Sequence, residues 1–364
     1  MTKFKQFFIW LMVASAFSGY AQIIRVVDAE GDPVPYVAVT TKQGKLVGTT
    51  DIDGVFENTT ENTVLCLSQV AYKPLTVNLS EVVDGVITME DADYVLPDVV
   101  VKPKELLYMQ TYYRVTYIDE EGPIYYRAGI IDNTYEFAKG KIDIKEKSIS
   151  EANSGLLKIT LNALAGHLIK DRCKLHKRSA YQLVNSNDGK WAKVSVTTDS
   201  IGRQVISDSI SVLGYIDEDK DDRTRTTSFN EWLFHKHLEI ANEQNEKKKD
   251  KKQAELDVKE QNSEHSYFEV YRMDENGNSS IGDFVMQQSL DKGVFKRTKL
   301  RYILIIESFA TETAYIDKKE FKQTRKDNDV DKSYDDLLRY EQAHKIPPLA
   351  PNLREQIDKL FVKN

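Results

Sequence analysis

A series of short apolar segments, each ended by turn-forming residues, restricts the fold of residues 22–101 more than any other feature of the sequence. Segments such as 37–40 and 64–67 have the length of strands, and Gly, Pro and Asp residues separate them. Short strands at close and regular spacing are typical of an antiparallel β-sandwich. The sequence therefore predicts a small sandwich over 22–101.

The stretch GTTDIDGVF at 48–56 has two interpretations. Asp51, Asp53 and Gly54 could begin a calcium-binding loop or form a tight turn between two strands. A calcium loop of this type needs a bidentate acid at its twelfth position, and counting from Asp51 that position is Asn62. Gly54 accepts a positive φ, and Asp side chains hydrogen-bond the local backbone. We therefore interpret Asp51, Asp53 and Gly54 as a structural turn.

Several motifs in this region resemble the carboxypeptidase regulatory-like domain. They are Gly31 with Pro33-Val34-Pro35, the segment TDIDGVF at 50–56, Ala71-Tyr72-Lys73 and LPDVVV at 96–101. That family is a seven-stranded prealbumin-like β-sandwich at the start of many secreted and outer-envelope proteins of Gram-negative bacteria, including TonB-dependent receptors. The resemblance implies an accessory domain rather than a peptidase. None of the six histidines is followed at the third position by Glu, as a carboxypeptidase zinc site would need.

The first 21 residues have the features of a secretory signal peptide. Lys3 and Lys5 precede an apolar run over 7–14, and small residues precede the expected cleavage point at Gln22. An uncleaved membrane anchor is the alternative, but a bilayer span needs roughly 20 apolar residues. We therefore expect an exported protein, in the periplasm or at the cell surface, with no transmembrane span after cleavage. Loss of Lys3 and Lys5 changes the formal net charge from −7 to −9, which argues against nucleic acid as a partner.

The rest of the chain is predicted to be mainly β with some α. After a linker over 102–107, the region 108–328 has alternating strand-like runs that predict a curved antiparallel sheet packed with helices. A helix is expected over 152–170 because apolar residues recur there at helical spacing, and a strand is expected over 180–184.

Two further segments are distinct from the sheet. The charged insertion at 229–266 could be a protruding helix or a disordered loop, because its apolar stripe ends in a lysine-rich run. The tail at 329–364 predicts two helices separated by Pro347-Pro348.

Four tyrosines of the first predicted hairpin are candidates for a ligand or partner surface. Tyr112, Tyr113, Tyr125 and Tyr126 could form a stacking platform for a sugar or an apolar ligand. Aromatic residues are also ordinary packing material in sheets, where they form cross-strand pairs. Both interpretations are open from sequence.

The strongest metal-binding pattern lies in the charged insertion. On a helix, Glu231 and His235 share a face, and so do His235 and Glu239, whereas His237 points elsewhere. A site would need further ligands from distant parts of the chain. We therefore expect no metal and no cofactor.

The sequence supports three functions to different degrees. It has no nucleophile elbow, phosphate loop, zinc signature or Cys-x-x-Cys pair, so a non-catalytic envelope protein is the first interpretation. Such a protein would bind an envelope protein or an apolar or glycan ligand. A periplasmic carrier of a lipid or lipoprotein is the second, and a hydrolase with a scattered active site is the third.

Overall fold

The computed structural model describes residues 22–58, 63–92, 94, 104–154, 172–200, 202–241, 248, 264–294, 299–321 and 333–362. Strands make up 49% and helices 20% of the described residues, so the predicted mainly β fold class is confirmed. The expected signal peptide and residues 155–170 of the helix expected over 152–170 lie outside the described residues. Residues 152–153 of that expected helix belong instead to the end of a strand. Among the described residues, no helix has both the length and the apolar character needed to cross a membrane.

The first seven strands form two small sheets. They are β1 (Gln22–Val27), β2 (Ala38–Thr41), β3 (Leu46–Thr49), β4 (Val55–Asn58), β5 (Val64–Ser68), β6 (Leu75–Asn78) and β7 (Val86–Thr88). One sheet has the order β4-β1-β7 and the other β3-β2-β5-β6. Apolar side chains from both sheets, including Ile24, Val39, Phe56 and Leu65, pack into one buried cluster. The two sheets are therefore the layers of a sandwich.

The strand order leaves β3 and β4 at the edges of their sheets. The chain passes from β3 to β4 through the turn that contains Asp51 and Gly54, so both edge strands lie on the same side of the sandwich. Gly54 has a φ of +71°, and a Cβ on it would overlap the carbonyl oxygen of Val26. Only glycine fits this turn without strain.

Ten further strands form a single antiparallel sheet, called the long sheet below. They are β8 (Leu106–Asp119), β9 (Gly122–Glu136), β10 (Lys141–Asn153), β11 (Ser195–Thr198), β12 (Gln204–Ser207), β13 (Val212–Asp219), β14 (Thr224–Asn230), β15 (Glu264–Arg272), β16 (Phe284–Val294) and β17 (Arg301–Ile316). Their order is β10-β9-β8-β17-β16-β15-β14-β13-β12-β11. The pairing of β8 with β17 joins two hairpin series that are distant in sequence. Because β8 begins at Leu106, the last two residues of the expected linker belong to the sheet.

The α-helices of the described structure include α1 (Ala180–Val184), α2 (Glu231–Ala241), α3 (Tyr334–Ala343) and α4 (Pro351–Val362), and short 3₁₀ helices lie at Leu79–Glu81, Gly189–Lys193 and Ile281–Asp283. The strand expected over 180–184 is wrong. Ser179 and Gln182 form a reciprocal capping box that starts α1, and this local signal outweighs the apolar strand-like composition. The two tail helices lie where the sequence predicts them, with Ser333 capping α3.

The main core lies between the long sheet, the sandwich and the tail. Phe309 and Met286 of the sheet pack in one cluster with Tyr36 of the sandwich and with Leu337 and Ile357 of the tail. The side-chain amide of Gln288 in β16 also links the long sheet to the sandwich by hydrogen bonds. It donates to the Tyr36 carbonyl oxygen at 3.2 Å and accepts from the Val70 N–H at 3.1 Å. The sandwich is therefore packed onto the sheet through buried contacts.

We predict that Gly54→Ala lowers the free energy of unfolding by about 1–3 kcal/mol, because alanine at this φ is strained and its Cβ meets a backbone oxygen. Gly48→Ala is the control, because a Cβ at Gly48 meets nothing within 4 Å. Urea unfolding of both variants measures the difference. Equal stability of the two variants would contradict the role of Gly54 in the turn.

Candidate functional site

The four candidate tyrosines do not form an exposed surface. Tyr112, Tyr113, Tyr125 and Tyr126 are all at most 1% exposed. Neighbours in a strand point to opposite faces, so Tyr112 and Tyr113 are separated by the sheet itself. Tyr112 donates to Glu341 of α3 at 2.7 Å, and the Tyr126 ring packs edge-on against Tyr334. The tail covers this pair, so the platform interpretation is corrected in favour of sheet packing.

On the opposite face, Tyr113 and Tyr125 belong to a network of charged groups. Arg127 donates to the Tyr113 hydroxyl at 3.1 Å and pairs with Glu146 at 2.7 Å and Glu151 at 3.2 Å. Tyr125 donates to Glu151 at 3.3 Å. Burial and Glu146 raise the pKa of Tyr113 far above its ordinary value. These hydroxyls therefore stay protonated and serve as hydrogen-bond partners.

A second network, of buried charges, fixes the tail to the sheet. Arg114 has a side chain only 2% exposed and pairs with Glu307 at 2.9 Å. It also donates to the Pro347 carbonyl oxygen at 2.8 Å. Glu341 accepts from Arg354 at 2.6 Å as well as from Tyr112. Burial alone would lower the pKa of Arg114, but Glu307 and Glu341 raise it, so the guanidinium remains charged.

A third charged cluster contains His265 of β15. Its Nε2 lies 3.1 Å from Glu231 of α2, and its Nδ1 is bonded to Asp291 of β16. Burial would lower the pKa of His265, but the hydrogen bonds with Asp291 and Glu231 raise it. The hydrogen bond from His265 is the largest cause that lowers the pKa of Glu231 to about 2. Both ring nitrogens are occupied, so neither is open to act as a general base.

The residues of the metal-binding pattern in the charged insertion bind different partners. Glu231 also lies 3.3 Å from His235, whereas His237 pairs with the buried Asp208 at 2.6 Å. Glu239 pairs with Lys236 at 2.8 Å. In the parts of the chain that the structure describes, no group of three or more His, Cys, Asp and Glu is arranged to hold a metal ion.

Glu269 is a buried acid that belongs to none of these networks. Burial raises the pKa of Glu269 to about 7. Its carboxylate accepts from the N–H groups of Ala180 at 2.5 Å and Tyr181 at 3.4 Å. These are the first N–H groups of α1, which otherwise have no partner within the helix. Glu269 therefore anchors α1 to the sheet.

The two described cysteines, Cys66 and Cys173, are both buried and unbridged. Burial raises the pKa of the Cys173 thiol to about 12, so its reactive thiolate form is suppressed.

A cleft of about 500 Å³ lies between the sandwich and the long sheet. One wall consists of β3, Asp51 and most of β4. The other consists of the end of β16 and the start of β17, from Lys292 to Val294 and from Arg301 to Ile303. β3 and β4, one edge strand from each sheet of the sandwich, therefore face the same recess, which opens to solvent.

The turn predicted from Asp51, Asp53 and Gly54 shapes this cleft. One oxygen of Asp51 accepts from the N–H groups of Asp53 at 3.0 Å and Val55 at 2.8 Å. Asp53 accepts from Tyr215 of β13 at 2.5 Å, which ties the turn to the long sheet. Burial raises the pKa of Asp51, and the Val55 N–H partly offsets this. The two carboxylates are thus occupied by backbone and tyrosine donors.

The cleft has apolar and charged parts. Val294 supplies apolar surface, and Lys292 and Arg301 supply positive charge. On the opposite wall Asp51 and Glu57 supply negative charge. Thr49 lines the same wall as Asp51, and its hydroxyl is buried without a hydrogen-bond partner among the described residues. None of the sequence motifs predicts this cleft. The one signal for it is Gly48, since a glycine inside a strand often marks a place where another backbone approaches.

No protein-family model and no curated protein matches the chain. Among solved structures, lipovitellin, studied for its lipid–protein interactions, is similar at a TM-score of 0.28 and 7% identity. The similarity covers 58% of this chain and 26% of the lipovitellin chain, so it spans about a quarter of that protein. A similarity this low carries no argument about function.

We predict that Glu341→Ala lowers the free energy of unfolding by about 3–5 kcal/mol, because Arg114 and Arg354 would each lose a buried carboxylate partner. Glu355→Ala removes only an exposed pair with Lys359 and should change it by less than about 0.5 kcal/mol. Urea unfolding measures both. A small effect at Glu341 would show that the tail is held mainly by apolar packing.

We also predict that His265 stabilises the fold in a pH-dependent way. Because its folded-state pKa is raised, the contribution is present below about pH 6.5 and is lost as pH rises through the folded-state value. The stability loss in His265→Gln should therefore be larger at about pH 6 than at about pH 9. Urea unfolding at a series of pH values measures it, and His235→Gln is the exposed control. A loss independent of pH would mean that His265 is neutral in the fold.

Proposed function

We propose that this chain is a non-catalytic protein of the bacterial envelope that binds a polypeptide partner in the cleft between its sandwich and its long sheet. The observation that carries the proposal is that one edge strand of each sandwich sheet, β3 and β4, faces one recess, with a wall of the long sheet opposite. Edge strands present unpaired backbone groups, which are a ready-made binding surface for another chain. The sandwich would then be a docking element rather than a spacer.

The state of the ionisable clusters favours binding over hydrolysis. His265 is held between two carboxylates, Glu269 caps a helix, and Arg114 is fully paired. The polar atoms of each of these groups are already bonded within the fold, whereas a catalytic acid or base needs an atom that is open to the substrate. A hydrolase is therefore the least supported of the three functions.

The packing of the long sheet favours a polypeptide over a lipid cargo. A carrier would need a deep apolar cavity on a sheet face. The face that carries Tyr112 and Tyr126 is filled by the sandwich and by Leu337 and Ile357 of the tail. A second cleft of about 440 Å³, beside Pro347 and Pro348, is also open to solvent.

The envelope location belongs to the same proposal. The basic and apolar start of the chain supports export, and the motifs that resemble the carboxypeptidase regulatory-like domain support a place among envelope proteins. The two sheets of three and four strands agree in number with the seven-stranded sandwich that the resemblance implies.

We predict that a photo-crosslinking amino acid in place of Glu57, an exposed residue that lines the cleft, forms a specific adduct with a partner protein in cells that produce the full chain. The same amino acid at position 83 should form none, because Val83 is 73% exposed and does not line the cleft. Point variants are preferable to deletion of the sandwich, since deletion would uncover the core around Tyr36 and Val70. Immunoblotting and mass spectrometry identify the adducts. Adducts of equal yield at both positions, or none at position 57, would overturn the proposed docking site.

A further inference from the structure

The backbone of the cleft wall has a defined direction. Thr50 N–H donates to the Val37 carbonyl oxygen at 3.1 Å, and Gly48 stands opposite Val39 in the register of β2 and β3. Because hydrogen-bonding direction alternates along a strand, Thr49 between them points its N–H and C=O away from β2. No described strand lies beyond that edge.

The neighbouring edge strand is less open. Val55 is the first residue of β4, and both its backbone groups are used by the turn: its N–H donates to the Asp51 side chain and its C=O accepts from Asp51 N–H at 2.8 Å. By the same alternation, only Glu57 directs backbone groups outward. The open edge of β3 is therefore the better place for another strand to pair.

The surroundings of Thr49 suit an incoming backbone. Gly48 has no side chain, and the space where its Cβ would lie is open to 4 Å. The Thr49 hydroxyl is buried and unpartnered among the described residues, so it has hydrogen-bonding capacity that the fold does not use. The cleft volume of about 500 Å³ suits one extended segment rather than a second sheet.

The other wall of the cleft, formed by β16 and β17, would select the side chains of a bound segment. In the pairing of β16 with β17, Lys292 stands opposite Ile303 and Val294 opposite Arg301, so these four share one face. That face presents two cations and the apolar side chain of Val294, whereas Ile303 is only 2% exposed and packs in a buried cluster with Leu46 of β3. Arg301 is bound to Glu120 at 2.6 Å in an exposed ion pair, which contributes little and can be exchanged. A segment between the walls would place its acidic side chains toward Lys292 and Arg301.

We infer that the occupant of the cleft is an extended polypeptide segment with alternating apolar and acidic residues, which adds a strand to β3 through the backbone of Thr49. The inference rests on the proposed function and deepens it by naming the chemistry of the partner. Backbone hydrogen bonds would supply general affinity, and the cations of the sheet wall would select the sequence.

The test uses the full mature chain and two labelled peptides of about eight residues, the length of an ordinary strand. One has Val-Glu repeats and the other Val-Lys repeats, and fluorescence anisotropy measures their dissociation constants. The Val-Glu peptide should bind at least about tenfold more tightly than the Val-Lys peptide. Lys292→Glu should reverse that preference. Lys139→Glu, at an exposed position outside the cleft, should leave it unchanged.

Alternate N-methylation of the peptide backbone tests strand addition itself. Methyl groups on the N–H groups that face β3 should abolish binding, and methyl groups in the other register should leave it within about threefold, because only one side of a strand pairs with its neighbour. Binding of the unmodified peptide should also slow hydrogen exchange of the Thr49 amide.

The possible failures are distinguishable. If both methylated peptides bind equally while Gly48→Trp abolishes binding, the cleft is a docking site but strand addition is overturned. If Gly48→Trp leaves the affinity unchanged, the peptide binds elsewhere and the inference is overturned. If neither peptide binds, or if the chain forms a dimer that Gly48→Trp dissociates, the inference that an acidic segment occupies the cleft is overturned. The crosslinking experiment at position 57 decides the proposed function independently of these results.

Discussion

The contact between the sandwich and the long sheet determines most of what this molecule can do. Its centre is Gln288, whose amide group bonds the backbone of Tyr36 and Val70 from inside the apolar cluster. A buried amide that left these backbone groups unpaired would cost stability, so the arrangement favours one orientation of the sandwich. The cleft follows from that orientation, because the edge strands are thereby held opposite β16 and β17.

The buried charges have a comparable role in the rest of the fold. Arg114 and Glu341 lie in the interior, where a charge is tolerated only if it is paired and hydrogen-bonded. Their partners come from β17 and from both tail helices. The resulting network specifies one position of the tail on the sheet. This also explains why tyrosines that resemble a binding surface in the sequence are packing residues in the structure.

The recess leaves the edge strands open to a partner and also limits aggregation, two requirements that usually conflict. An exposed edge strand promotes aggregation, and proteins commonly cover or charge such edges. Here the long sheet stands across from β3 and β4, so a partner must enter a cleft of limited volume lined by Lys292 and Arg301. Such an edge is open to a single strand of suitable side chains, and a second whole sheet has little access to it. The short length of β3 and β4, four residues each, limits unspecific pairing further.

The sequence by itself determined the features that depend on neighbouring residues. The strand periodicity predicted a mainly β chain, and Pro347-Pro348 divided the tail into two helices. Asp51 and Gly54 predicted a turn because the side-chain bonds and the positive φ involve residues at most four apart. The Ser179–Gln182 capping box was equally local, and reading 180–184 by composition alone missed it. Tertiary structure decided whatever joins distant residues: the pairing of β8 with β17, the contact of Tyr112 with Glu341, and the approach of His265 to Glu231. The cleft belongs to this second group, because its walls lie more than 200 residues apart in the chain and no local pattern encodes their distance.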